Sequence, residues 1–220
     1  KSAADYQDFV TWQKSYLTSQ SSKNDLDYWR QQLCGILPIL ALPVDFSRTQ
    51  VMQYHGASHS VQLDQDLTKK IRLLGQKHGA SLFMTLLAIY KVLLHRYTHQ
   101  DDIIVGTASN GRPQARFKYT AGNFVNPIAL RSKPNSKLPF STYLEQVRDM
   151  VLGALSHSNY PFSLLVEHLQ PERNAEYWPI YQTWFMLQQG RTEIDDKLSH
   201  LALGEEGESL NWGNWTISSK

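Results

Sequence analysis

Between Ser81 and Thr98 the chain sets Leu82, Phe83, Leu86, Leu87, Tyr90, Leu93, Leu94 and Tyr97 at helical spacing. That apolar surface is wider than a single core-facing stripe, so it predicts a helix capped by Ser81 and buried on most sides. Ile103-Ile104-Val105 follows almost at once and runs into Gly106, which reads as a short buried strand. A helix feeding an apolar strand places the chain among α/β layers rather than all-β sandwiches.

Other elements fall on either side of this pair. Tyr6, Phe9, Trp12 (or Gln13) and Tyr16 lie on one face of a helix over 5–19. A polar break at 21–24 separates it from a second helix, Asp25–Leu33, ended near Gly35 and Pro38. Residues 38–55, with Pro38 and Pro43, read as an extended crossing loop. Residues 57–63 alternate like a strand, and Asp64 caps a helix that stops at Gly79. The polar stretch 109–121 reads as a loop, Phe124–Leu130 as a strand, and Pro134–Pro139 as a turn before a helix over Ser141–Ser156. Pro161 suits the first turn of a short helix reaching Leu169. Ile180–Leu187 reads as another buried strand, and Leu198–Ile217 as a β-ribbon.

Composition narrows the function classes. With 220 residues, 41% hydrophobic content and a net charge of +2, the chain is globular rather than disordered. No dense Lys/Arg block or basic–aromatic stripe is present, which argues against nucleic acid as a partner. The richest apolar run, Leu82–Leu94, is shorter than the roughly 18 residues a membrane span needs, so no membrane is expected. The single cysteine, Cys34, reads as a small buried thiol in a reducing, cytoplasmic setting. The start, Lys1-Ser2-Ala3, has neither an initiator Met nor a signal-peptide pattern and reads as a cut from something longer.

Motifs for common catalytic chemistries are missing: there is no G-x-S-x-G elbow, P-loop, G-x-G-x-x-G or C-x-x-C. His95 and His99, four apart and close to Asp101 and Asp102, have the spacing of a metal pair. The simpler account is a helix C-terminus that attracts histidine through its dipole. His55 and His59 have no third ligand in reach by sequence. His157 leaves one helix just before a proline-started second one, where it could bond exposed amides or line a cleft.

Several separated motifs, in order, resemble the condensation domains of nonribosomal peptide synthetases. Tyr6-Gln7-Asp8-Phe9-Val10-Thr11-Trp12 is similar to that family's Y-x-D-F/Y-A-V-W. Gly122-Asn123-Phe124-Val125-Asn126, continuing to Arg131, resembles I/V-G-x-F-V-N-T with its following strand. His157-Ser158-Asn159-Tyr160-Pro161-Phe162 is similar to H/N-Q-D-x-P-F-E. Residues 80–106, Asp27-Tyr28-Trp29 and Leu169-Gln170-Pro171-Glu172-Arg173 also resemble family sequence. Departures are Pro127 for Thr, Asn159 for Asp, Ser163 for Glu, and a closing R-D-x-S-R-x-P-L-F kept only as Arg173 through Pro179 to Tyr181. The signature H-H-x-x-x-D-G does not occur in the sequence, which has no His-His and no Asp-Gly.

The resemblance implies the C-terminal half of such a domain: an α/β, chloramphenicol acetyltransferase-like two-layer sandwich, with 1–55 as interlobe helices and crossing loop and 56–220 as the α/β lobe, truncated at both ends. It implies amide-bond formation between a donor thioester and an acceptor amine, both carried on phosphopantetheine of partner carrier proteins, with no cofactor bound directly. The implied partners are the N-terminal lobe of the same domain, peptidyl and aminoacyl carrier proteins, and an adjacent adenylation domain. No catalytic residue and no metal ligand is expected in this chain, which alone should be inactive. Asn126, Arg131, His157 and Asn159 are the candidates for the tunnel or lobe interface; for Asn126 and Arg131 structural bracing is the other reading. Tyr6, Asp8, Trp12, Gly122, Phe124, Pro161, Phe162 and Arg173 are expected to hold structure. A carrier-docking scaffold without chemistry, or the same fold used for epimerisation, cyclisation or ester formation, are the alternatives.

Overall fold

A computed structural model describes residues 4–46, 56–171, 177–188, 209–212 and 215–218. Arg173 therefore lies outside the described residues. Most of the chain, through Phe185 and excluding 54–63, forms one compact unit, and 54–63 with 186–220 form a second.

In the larger unit, helix α1 spans Tyr6–Leu17 and opens with a capping box: Asp5 accepts from the Asp8 amide at 2.8 Å and Asp8 from the Asp5 amide at 3.1 Å. Helix α2 covers Gln20–Gln32, so the expected break at 21–24 is helical. The Ser19 hydroxyl caps it at the Ser22 amide, and its polar first turn tolerates water on the outer face while Ser22 and Asp25 turn inward. Cys34 is exposed rather than buried, because Leu33, the C-cap of α2, takes the core position and the chain turns away at Gly35.

Helix α3, Gln65–Lys77, starts on the Asp64 cap, and α4, Leu82–Thr98, on Ser81. The α4 face that enters the core carries Met84, Thr85, Leu87, Ala88, Lys91 and Leu94. Ile89, Leu93 and Tyr97 are exposed, so burial is confined to one face and is narrower than the sequence predicts. Strand β1, Ile103–Ser109, continues through Gly106 and pairs antiparallel with β2, Asn126–Ser132, in the register Ile103↔Ser132 to Ser109↔Asn126. A Cβ at Gly106 would sit 2.5 Å from the Tyr181 ring and 2.7 Å from Trp184, so this glycine permits aromatic packing against the strand. β2 starts two residues later than expected because Phe124 leaves the ladder for an aromatic cluster.

Helix α5, Phe140–Ser156, and helix α6, Phe162–Leu169, complete the unit. Pro161 is the residue before α6 rather than within its first turn. The core lies where Leu87, Ala88 and Leu94 of α4 and Leu144, Val147 and Val151 of α5 meet Ile103, Val105, Ile128 and Leu130 of the sheet. Each buried Leu, Ile or Val among them contributes about 1.5–3 kcal/mol through burial. Residues 183–185 do not form a full strand; they make one parallel bridge to Gly106, with the Gly106 amide donating to Thr183 O and the Phe185 amide to Gly106 O, each at 2.9 Å.

In the smaller unit, Ser209–Trp212 (β3) and Trp215–Ser218 (β4) pair antiparallel where a ribbon over Leu198–Ile217 is expected; residues 198–208 and 213–214 of that stretch lie outside the described residues. Residues 56–63 are exposed and belong to no helix or strand, since alternation alone supplies no ladder partner. Among the described residues, no single helix is long and apolar enough to cross a membrane.

Candidate functional site

Two sequence-predicted motifs meet at Asn126, the first residue of β2. Its Nδ2 donates to Ser158 O at 2.9 Å and Tyr160 O at 2.8 Å, and its Oδ1 accepts from the Phe162 amide at 3.0 Å. One side chain thus clasps the whole turn between α5 and α6. Both of its amide protons are used, and the Phe162 amide at the start of α6, where helix donors are otherwise unpartnered, is satisfied from β2.

His157 sits in that turn at the C-terminus of α5, but it bonds none of the free amides. Its Nδ1 lies 2.7 Å from Oδ1 of the buried Asp25 on α2, and its ring stacks on Tyr28 with centroids 4.1 Å apart. The His157 carbonyl accepts from Trp29 Nε1 at 2.9 Å. Asp25 also accepts from the Tyr16 hydroxyl at 2.5 Å, which links α1, α2 and the end of α5 in one network. Burial first, and then the Asp25 carboxylate, push the Tyr16 hydroxyl far above its ordinary range, so Tyr16 remains a donor. Asn159 opens onto a shallow groove of about 580 Å³ whose walls include Trp12, Tyr16 and Asp25.

The N-terminal motif packs on the Gly122–Phe124 motif. Tyr6 donates to Asn123 O at 2.9 Å, and its ring meets Phe124 edge-on at 5.3 Å. Phe9 lies 4.6 Å from Phe124 and 5.7 Å from Phe117, and Trp12 stacks between Phe9 and Tyr16. Gly122 has φ +151°, and a Cβ there would fall 2.2 Å from the Tyr6 ring. Arg112 lies 4.0 Å above the Phe124 ring and bonds Phe117 O and Thr120 O, which closes the cluster from the other side.

Arg131, on β2, makes a fork to Asp102 with Nε at 3.0 Å and Nη2 at 2.7 Å. Its other donors reach Cys34 O at 2.7 Å and Ile36 O at 3.0 Å. The hydrogen bonds to Asp102 hold the guanidinium above its already high range. Arg131 thereby ties the segment after α2 to the sheet, helped by Gln182 at the Leu40 amide and Gln100 at the Ala41 amide. Asp102 is committed to this pair, while His95 Nδ1 faces Gln100 O at 2.9 Å and Asp101 at 3.5 Å. His95, His99, Asp101 and Asp102 are not gathered into a common metal-holding group.

Sequence reasoning missed Lys91 and Asp25. Lys91 is fully buried and donates to Leu130 O at 2.7 Å and Ile103 O at 3.0 Å; burial lowers it to about 7, against the pull of Asp102. Its place seven residues after Met84 and three before Leu94, on the face that enters the core, was the available signal.

Comparison with known proteins bears on the same motifs. The sequence profile of the condensation domain matches residues 1–209. The chain belongs to the condensation-domain family. It is 41% identical over 183 residues to a linear gramicidin synthase polypeptide of Brevibacillus parabrevis, covering 83% of this chain and 4% of that protein. Its fold is similar to that of a four-domain nonribosomal peptide synthetase bound to AMP and glycine, with TM-score 0.79 at 23% identity over 93% of this chain and 15% of the other. The condensation domain of the Monacolin K polyketide synthase superposes with TM-score 0.69 at 26% identity, over 84% of this chain and 46% of that one. The chain thus spans a small fraction of the synthase and less than half of the solved domain.

Proposed function

We propose that this chain is the C-terminal lobe of a condensation domain that joins a donor thioester to an acceptor amine in nonribosomal peptide synthesis. What carries the reading is that three motifs of the condensation family converge within a chain matched by the family profile from residue 1 to 209: Tyr6–Trp12 packs on Gly122–Phe124, and Asn126 clasps Ser158, Tyr160 and Phe162.

In the proposed reaction the acceptor nitrogen attacks the thioester carbonyl, the carbon–sulfur bond breaks, and the thiol stays on the donor carrier. Both reactants arrive tethered to phosphopantetheine of carrier proteins, which provides a high effective concentration. The proton-handling imidazole belongs to an H-H-x-x-x-D-G signature, which this sequence does not contain, so an N-terminal lobe supplies it. This chain supplies a tunnel wall and part of the carrier-docking surface, in a cytoplasmic assembly that includes an adenylation domain. Asn126 and Arg131 shape the wall by bracing, since their donors are spent on backbone carbonyls and Asp102. His157 and Asn159 lie beside that brace.

The test compares this chain alone with this chain joined to an N-terminal lobe bearing the signature, each given loaded donor and acceptor carriers. Peptide product is expected only from the joined protein, and only while the second signature histidine is intact. Turnover by the chain alone would overturn the division of labour. Carrier binding without turnover in the joined protein would favour a docking module instead.

A further inference from the structure

Where α4 ends, it forms a cavity of about 590 Å³ with the 134–138 turn and the start of α5, a size typical of small-molecule sites. Its polar side carries the Arg96 guanidinium beside the imidazoles of His95 and His99. Arg96 and His99 line it, and neither side chain has an ion pair or hydrogen bond among the described residues. Lys133 and Lys137 flank the turn in sequence and are exposed, and no Asp or Glu is among the lining residues. Asn135 spends its Oδ1 on the Lys137 amide at 2.9 Å, which leaves Nδ2 as an unused donor, and the Ser136 hydroxyl is likewise unpaired among the described residues.

The opposite side is apolar. Leu138 and Phe140 line it, with the ring of Tyr143, whose hydroxyl is already paired with Ser132 at 2.8 Å. A helix C-terminus ordinarily repels an anion. Here Leu94 O accepts from the Thr98 hydroxyl and His95 O from the His99 amide, each at 2.8 Å, so two of the carbonyls near the end of α4 are occupied. The Arg96 guanidinium offers a planar fork of donors suited to an oxyanion.

We propose that this cavity binds a small amphiphilic organic anion, with its carboxylate or phosphate on Arg96 and its apolar body against Leu138, Phe140 and the Tyr143 ring. The site stands apart from the Asn126 clasp and does not depend on the proposed role in amide formation. The 220-residue chain would be titrated with octanoate, octyl phosphate, octanol and inorganic phosphate, following amide shifts by NMR and heats by calorimetry. Saturable binding of octanoate or octyl phosphate is expected, with shifts centred on 92–99 and 134–143; which of the two binds more tightly identifies the head group. Arg96→Gln, at an exposed and unpaired position, should weaken binding at least tenfold while leaving the amide spectrum otherwise unchanged, and Leu138→Glu should weaken it comparably. Octanol or inorganic phosphate binding as well as the amphiphiles, affinity unchanged in Arg96→Gln, or no saturation would each overturn the proposal.

Discussion

Asn126 and Lys91 show how much one polar side chain can hold in place. Replacing Asn126 with Ala removes three hydrogen bonds and leaves Ser158 O, Tyr160 O and the Phe162 amide in need of other partners. At about 1 kcal/mol for each lost bond, the unfolding free energy should fall by roughly 2–4 kcal/mol in urea titration. Asn126→Asp keeps the acceptor for Phe162 but loses both donors and should recover only part of that loss. Lys91 makes a pH-dependent contribution. Between about 7 and its ordinary value of 10.5 it is neutral in the folded chain and protonated in the unfolded one. Unfolding therefore takes up a proton in that window, and stability rises with pH there by up to about 1.4 kcal/mol per unit. Below pH 7 the burial penalty on the charged form is present in full. Lys91→Met should abolish this slope, as measured by denaturant midpoints from about pH 6.5 to 10.5; equal slopes in both proteins would contradict the buried-amine account.

At the scale of elements, the junction of α1 with the Gly122–Phe124 motif depends on a position without a side chain. Gly122→Ala forces an L-residue to φ +151° and drives a methyl into the Tyr6 ring. We expect a loss of roughly 2–4 kcal/mol and altered near-ultraviolet signals from Trp12. In the Tyr6→Ala background the clash disappears and only the backbone strain is left, so the second substitution should cost less there; equal cost in both backgrounds would remove the packing half of the explanation. Much of this scale was legible in the sequence. The helices over 64–78 and 81–98 are capped by Asp64 and Ser81 as expected, because a cap needs only local geometry. The continuous α2 and the strandless 56–63 segment departed from expectation. A polar first turn is indistinguishable from a linker until Ser22 and Asp25 find buried partners, and an alternating segment needs a second chain to become a strand.

For the whole molecule, the segment that follows α2 leaves apolar surface in water. Ile36 is 92% and Phe46 86% exposed, although Arg131, Gln100 and Gln182 hold the backbone of this segment against the sheet. Exposed aliphatic and aromatic side chains on a pinned backbone favour association. The chain should self-associate with rising concentration in sedimentation velocity and bind an apolar dye, and Ile36→Ser with Phe46→Ser should reduce both. A monodisperse wild-type monomer with no dye signal would contradict this. What the sequence determined by itself was whatever depends on neighbours three or four residues away: the helix caps, the apolar periods, the order of the condensation-family motifs and the absence of a His-His pair. Tertiary structure alone decided which polar groups meet across long separations. Asn126 reaching Phe162, Asp25 reaching His157 over 132 residues, and Lys91 finding Leu130 O on β2 all follow from packing. The physical reason is that a buried donor or acceptor must find a partner, and the partner's identity is set by which surfaces the core brings into contact.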